Sequence, residues 1–353
     1  MRFFILITFS LTLVRSHGQG IDAAFVENLE KNQLYILAQA HNNKANTILE
    51  NELLLALNKK YNVRYDIIEY AHSAAFLVNQ YLLSGHDSLL SFINPEANFS
   101  FIKSIKAHND SLSSERKIWF YGIDFENRHE GKYTKRAIAI ILEKSTFFKK
   151  DVLYSILRNI TTSATKYLSK NLLVLRNYLA THEDECRQTL GRHYIDVLLI
   201  ANAQFDFTSK RDEAMINNFK RLHKELERTG ETPLFFSSLG TGHVNPNNNN
   251  GIAMKLLNDE SSPVKNNVSV FGIQYLNCRF NKERTFRSTE GSLNFLCKSV
   301  AIQNLPSARS QESSITFLKR NELDMLNCKK VIGHFAGLFV VRNFDASSFW
   351  IWE

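Results

Sequence analysis

The chain has 353 residues, of which 44% are hydrophobic and 22% are charged, with only 5 Pro and 14 Gly. This composition excludes collagen-like, coiled-coil and disordered proteins, and the length is too great for one small domain. Lys and Arg number 43 against 35 Asp and Glu, which leaves a formal net charge of +8. A basic chain raises the question of a nucleic-acid or membrane partner.

The first 20 residues have the pattern of a secretory signal peptide. Arg2 precedes an apolar run at 3–14, and Ser16 and Gly18 place small residues at −3 and −1 of a cut after Gly18. We therefore predict a secreted or periplasmic protein whose main domain spans 21–353. The apolar run is well short of the roughly 20 residues that a membrane span requires, so no stable span is expected.

Apolar runs alternate with segments of helical periodicity along the chain. Strands are predicted at 33–40, 64–70, 117–124, 234–239 and 268–275, and helices at 47–60, 74–83 and 134–142. Residues 145–230 predict two or three long helices, and late strands are expected at 331–341 and 349–352. The pattern indicates a three-layer α/β/α fold with a mostly parallel sheet and a helical insertion at about 145–230.

Ionisable side chains follow four of the predicted strands. His41 ends the first strand, Glu69 and then His72 the second, Asp124 the third, and the fourth runs into a Gly-Thr-Gly-His segment ending at His243. Ligands of open parallel sheets bind at the carboxyl ends of the strands, so these side chains are candidates for one site. Each also has an ordinary structural explanation, as a turn residue or a helix cap.

Two of these candidates stand out by their sequence surroundings. Glu69 interrupts an apolar run, and a buried carboxylate is costly unless it is paired or functional. His243 follows two glycines that allow a ligand to approach the backbone. A His paired with a carboxylate can take a proton from water near neutral pH, which indicates hydrolysis.

Motifs for other chemistries are missing from the sequence. It contains no GxSxG, HExxH, P-loop or GxGxxG pattern, so no metal and no cofactor is predicted. None of the four cysteines is in a CxxC or Cys/His metal spacing, and their disulfide pairing stays open; they are Cys186, Cys278, Cys297 and Cys328. Basic residues occur as scattered pairs without interleaved aromatic residues, so no nucleic-acid partner is expected.

Several of these segments resemble the erythromycin esterase-like family. The chain places Glu69 28 positions after His41, and residues 75–85 (AFLVNQYLLSG) and 121–124 (YGID) are similar to family segments. Residues 211–218 (RDEAMINN) match the family pattern R-D-x-x-M-x-x-N, and the Gly-Thr-Gly-His segment fits its late histidine motif. The resemblance extends over about 33–275. The wider superfamily includes haem-binding lipoproteins and metal-dependent proteases.

The resemblance implies metal-independent hydrolysis of an ester or lactone in a small-molecule substrate. His41 would be the general base, Glu69 its carboxylate partner and His243 a second active-site histidine. Four residues would support the site or bind substrate, namely Gln39, His72, Asp124 and Arg211, although the segment at Arg211 could instead begin a helix that docks the helical layer.

The chain departs from the family where the pair Ala38-Gln39 replaces Gly-Glu. A glutamine cannot carry charge or act as a base. This departure keeps open the alternative of a non-catalytic protein that binds a small ligand, such as a haem-like one, on the same fold. The oligomeric state is not predicted.

Overall fold

The structure is a computed structural model that describes most of the chain. The described residues are 21, 23–27, 29–95, 99–126, 131–145, 151–203, 211–230, 232–244, 251–276, 278–281, 284–285, 314–319 and 335–344. The predicted signal peptide, the predicted strand at 349–352, Cys297 and Cys328 lie outside them. Cys186 and Cys278 are buried free thiols.

A seven-stranded sheet forms the centre of the molecule, and a separate two-stranded ribbon follows it. The strands are β1 (Leu34–Gln39), β2 (Tyr65–Ala71), β3 (Trp119–Asp124), β4 (Phe235–Gly240), β5 (Val268–Leu276), β6 (Arg279–Asn281), β7 (Arg284–Thr285), β8 (Ser314–Lys319) and β9 (Phe335–Arg342). The order in the sheet is β3-β2-β4-β1-β5-β9-β8, and β6 pairs with β7. All neighbours in the sheet are parallel except β8, which pairs antiparallel with β9.

Helices connect the strands, and the last five α-helices before β4 lie within the predicted helical insertion at about 145–230. The α-helices are α1 (Ala23–Glu27), α2 (Lys44–Tyr61), α3 (His72–Ser84), α4 (Asp87–Ile93), α5 (Ser100–Asp110), α6 (Lys132–Lys144), α7 (Val152–Thr162), α8 (Leu168–Thr181), α9 (Glu183–Leu190), α10 (Tyr194–Asn202), α11 (Arg211–Glu227), α12 (Thr241–Val244) and α13 (Ile252–Asn258). Among the described residues, no helix is both long and apolar enough to cross a membrane.

Both faces of the sheet are buried, as the continuous apolar strands predict. Along β1, Tyr35 and Leu37 enter one core cluster with α2, α3 and α5, while Leu34 and Ile36 enter a second cluster with α11 and α13. This alternation follows from the two-residue period of a strand. It confirms the predicted α/β class with helices on the sheet and a helical insertion.

The structure confirms the first five predicted strands, which correspond to β1–β5, to within two residues at each end. It adds α4 and α5 between β2 and β3, and β8 at the far edge, where the sequence predicted no element. Strand β8 pairs antiparallel with β9, the next strand in the chain. The predicted strand at 331–341 corresponds to β9.

The outer edge of β3 is closed by side chains instead of a further strand. The Asn79 amide of α3 donates to the Phe120 carbonyl at 2.8 Å and accepts from the Phe120 N–H at 2.9 Å. Asn109 of α5 makes the same pair of bonds with Ile118, at 2.9 and 2.8 Å. These amides satisfy backbone groups that an edge strand otherwise exposes, and they fix α3 and α5 against the sheet.

We expect Asn79→Ala to lower the free energy of unfolding by about 2–3 kcal/mol, because it leaves the buried donor and acceptor of Phe120 unpaired. Urea denaturation would measure the loss. Asn177, exposed on α8, offers the matched control: its alanine variant should stay within about 0.5 kcal/mol of the wild type. Equal stability of the two variants would show that the Asn79 bonds do not hold the edge.

Candidate active site

The strands that carry the predicted site residues are neighbours in the sheet. The order β3-β2-β4-β1 puts the carboxyl ends of all four side by side. Asp124 ends β3, Glu69 lies near the end of β2, and His41 follows β1 by two residues. His243 lies on α12, the short helix that begins directly after β4. The edge of the sheet therefore brings the predicted residues to one region.

Glu69 is the central acceptor of this region, and its side chain is only 7% exposed. Its Oε2 accepts the backbone N–H of Gly240 at 2.9 Å. Its Oε1 lies 3.0 Å from His243 Nε2 and 3.0 Å from Arg211 Nη2. The buried carboxylate is therefore compensated by two cations and a backbone donor, as burial of a charge requires.

Arg211 joins two strand ends through its guanidinium. It is the first residue of α11, and its Nε lies 3.2 and 3.1 Å from the two carboxylate oxygens of Asp124. Its Nη2 also bonds to Asp124 as well as to Glu69. A planar fork of donors matches two carboxylates in this way, which a lysine could not do. The remaining nitrogen, Nη1, lies 3.5 Å from His243 Nε2.

His243 is held between two carboxylates. Its Nδ1 lies 2.7 Å from Asp212 Oδ1, and its Nε2 faces Glu69. Burial acts to lower the pKa of His243, but the hydrogen bonds and negative charges of Asp212 and Glu69 outweigh it and raise the pKa to about 9. Burial likewise acts to raise the pKa of Glu69, but the hydrogen bond and charge of His243 and the Gly240 N–H lower it to about 2. Both groups are therefore charged at neutral pH.

Asp212 is the member of this cluster that sequence reasoning did not select as a site residue. It stands next to Arg211 in the R-D-x-x-M-x-x-N segment, so the motif itself contained the signal. Successive residues at the start of α11 thus bind groups at three different strand ends. Arg211 binds Asp124 and Glu69, and Asp212 binds His243.

His41 and Glu69 meet above a glycine. A β-carbon on Gly240 would lie 2.9 Å from His41 Nε2 and 3.3 Å from Glu69 Oε2. The imidazole and the carboxylate thus border the space of a single methyl group, and the negative charge of Glu69 acts directly on His41. Only glycine at position 240 leaves this space open.

Gln39 is fully buried at the end of β1, paired in register with Gly240. Neither polar atom of its amide has a hydrogen-bond partner among the residues that the structure describes. An unpaired buried amide costs free energy, so this position is polar at the expense of stability.

His72 lies apart from this cluster, although it follows Glu69 by only three residues. Its Nδ1 accepts the backbone N–H of Gly122 on β3 at 3.3 Å, and its Nε2 lies 3.0 Å from Asp196 of α10. The chain enters α3 at His72, and the helix carries this side chain to the outer edge of β3. His72 therefore belongs to a second polar cluster.

Within the described part of the chain, no group of three or more His, Cys, Asp or Glu has the geometry of a metal site. The cluster instead consists of two cations, Arg211 and His243, that pair with three carboxylates, those of Glu69, Asp124 and Asp212. Such an arrangement places fixed charges next to the reacting groups and can position a general base. Both are requirements of acid–base catalysis.

No family model and no curated protein matches the sequence. Solved structures match its fold over nearly its full length. A Bacillus cereus protein superimposes with a TM-score of 0.67 at 11% identity, covering 94% of this chain and 95% of that one. A succinoglycan biosynthesis protein gives 0.60 at 12% identity, covering 90% and 89%. An erythromycin esterase mutant in its open conformation gives 0.58 at 13% identity, covering 97% and 99%.

These likenesses define the class of protein at the level of the fold. The chain is an α/β protein with a helical insertion, and it shares its fold with an erythromycin esterase. The predicted resemblance is confirmed to that extent.

We expect the His243 imidazole to titrate near pH 9. Its contribution to stability is complete below its unfolded pKa of 6.5 and is lost as pH rises through 9, while that of Glu69 is complete above 4.5 and is lost as pH falls through 2. The pair therefore stabilises the fold most between pH 4.5 and 6.5. NMR of the ring protons against pH, assigned with His243→Gln, would measure the pKa. Titration near 6.5 would contradict the two-carboxylate arrangement.

We expect Gly240→Ala to displace the His41 ring while leaving the protein folded, because the closest atom is the end of a side chain that can rotate. The change would appear as a shift of the His41 ring resonances with little change in Tm. Gly242→Ala is the matched control, since a β-carbon there has no atom within 4 Å among those that the structure describes. Unchanged His41 resonances in Gly240→Ala would refute the close approach.

Proposed function

We propose that the protein is an exported hydrolase, related to erythromycin esterases, that cleaves an ester or lactone with a water activated by His41. The observation that carries this proposal is the approach of His41 Nε2 and Glu69 Oε2 to the same side of Gly240. A general base beside an ionised carboxylate is the minimum equipment for this reaction.

In this mechanism His41 removes a proton from water as the water oxygen bonds to the carbonyl carbon. Glu69 stays ionised because its pKa is about 2, so its negative charge stabilises the imidazolium that forms. Its own oxygens are occupied by Gly240, Arg211 and His243, which orient it without protonating it.

In this mechanism Arg211 stabilises the negative charge that develops on the carbonyl oxygen. Its Nε and Nη2 bind carboxylates, while Nη1 makes no such bond in the described structure and can donate to the oxyanion. As the tetrahedral intermediate collapses, the carbon–oxygen bond to the leaving group breaks. His41 returns its proton to the alkoxide, so that the products are a carboxylic acid and an alcohol.

His243 acts in this scheme as a positioning residue. Both of its nitrogens face carboxylates, so it contributes a fixed positive charge that keeps Glu69 ionised and in place. For the second candidate, a haem-like binding protein, the same arrangement disfavours His243 as the axial ligand, because an axial ligand needs a nitrogen that is not already engaged.

The second candidate is favoured by one observation, the neutral Gln39 in the place of the family's acidic residue. In a hydrolase, the buried amide of Gln39 would pair with the substrate or its water and so recover the cost of its burial. In a binding protein, the same amide would hold a ligand that is not cleaved.

We expect the purified protein to hydrolyse esters in a panel of p-nitrophenyl esters and macrocyclic lactones. His41→Ala should lower kcat/KM by about 100-fold or more, because it removes the general base. His86→Ala provides the matched control, since His86 is exposed outside the site, and it should leave the rate unchanged.

Equal rates for the wild type and His41→Ala across the panel would rule out the hydrolase. A Soret band after addition of haem, lost in the double variant His41→Ala/His243→Ala, would then support the binding protein. The two proposals thus predict opposite results in the same pair of experiments.

A further inference from the structure

A cavity of about 210 Å³ lies at the outer edge of β3, where α3 and α10 approach it. Its polar and aromatic lining includes Arg64, Trp119, Tyr121, Arg192, His193 and Asp196. As far as the described residues outline it, the cavity takes no lining residue from the Glu69–Arg211–His243 cluster. It is therefore a separate place for a ligand.

The inner wall of the cavity is a fixed polar array. Asp196 Oδ1 lies 3.0 Å from His72 Nε2, and its Oδ2 lies 3.1 Å from His193 Nδ1. Since His72 Nδ1 accepts the Gly122 N–H, its proton is on Nε2 and points to Asp196. Both oxygens of Asp196 are thus engaged with histidines, which leaves the carboxylate little capacity to bind a cation from the cavity.

Two arginines line the cavity beside this wall, and the positive charge of one of them, Arg64, also acts on the Glu115 carboxylate. Arg64 is half-buried. Arg192, two residues before the start of α10, is exposed. Arg192 forms no ion pair with any residue that the structure describes. The two guanidinium groups outnumber the single carboxylate of the lining, that of Asp196, so the cavity favours an anion. Guanidinium geometry also suits a planar carboxylate.

The rest of the cavity lining is rich in aromatic side chains. Four aromatic side chains belong to it, those of Tyr65, Phe76, Trp119 and Tyr121. The Tyr65 and Tyr121 rings meet edge to face at 5.9 Å, so their positions are fixed by packing. Aromatic walls bind flat apolar groups, and the volume is below the roughly 300–1,000 Å³ of sites for drug-sized ligands.

We propose that this cavity binds a small planar carboxylate, an aromatic or similarly flat acid with a single ring. The ring packs between the aromatic side chains, and the carboxylate is bound by Arg64 and Arg192. This proposal does not depend on the hydrolase, because the two sites share no side chain that either of them needs.

Benzoate is the probe that tests this class of ligand, with benzyl alcohol as the uncharged probe of the same shape. In isothermal titration calorimetry with the full chain, benzoate should bind at least about tenfold more tightly than benzyl alcohol. Arg192→Gln and Arg64→Gln should each weaken benzoate binding about tenfold. Arg158→Gln, which changes an exposed arginine of α7 outside the cavity, should bind as the wild type does.

His41→Ala separates this site from the candidate active site, and it should bind benzoate with the affinity of the wild type. Fluorescence of Trp119 should change with benzoate at the same midpoint, and Trp119→Phe should remove that signal. Binding that is absent at millimolar benzoate, equal for the two probes, or lost in His41→Ala while retained in Arg192→Gln would overturn the proposal.

Discussion

The guanidinium of Arg211 holds the carboxyl edge of the sheet together. It bonds to Asp124 at the end of β3 and to Glu69 on β2, two buried carboxylates that would repel each other without it. Because Arg211 begins α11, the same contact anchors the helical insertion to the site. Asp212, the next residue, then holds His243. Removing the arginine would therefore disturb the electrostatics and the docking of a helix together.

A second constraint comes from the free edge of β3. An edge strand with no neighbour has to satisfy its backbone, and here side chains of α3 and α5 do so. His72 joins that set through the Gly122 N–H, and Gly122 leaves no room for a side chain because a β-carbon would lie 2.4 Å from the Tyr70 carbonyl oxygen. Helix α3 is therefore fixed against this edge, and the other ring nitrogen of His72 contacts Asp196. The aromatic cavity is built on that arrangement.

The candidate active site combines a strongly compensated cluster with two further groups, His41 and Gln39. The charges of Glu69 and His243 are fixed by neighbours across neutral pH, so the field at the site does not change with small shifts in pH. A reaction at such a site needs one group that transfers a proton and another that can form a hydrogen bond to a ligand. His41 suits the first role by its type and its place above Gly240, and the buried amide of Gln39 suits the second.

The local sequence pattern predicted the first five strands of the sheet and the helices that follow them, because strand burial and helical periodicity depend on neighbouring residues. It also placed His41, Glu69, Asp124 and His243 at the ends of strands. It did not reveal β8, which pairs antiparallel with the next strand β9, nor the role of Asp212. Only the tertiary structure decided that Glu69 and His72, three residues apart, serve different clusters. The physical reason is that the chain turns from strand to helix between them, and the strand order decides which neighbours each side chain meets.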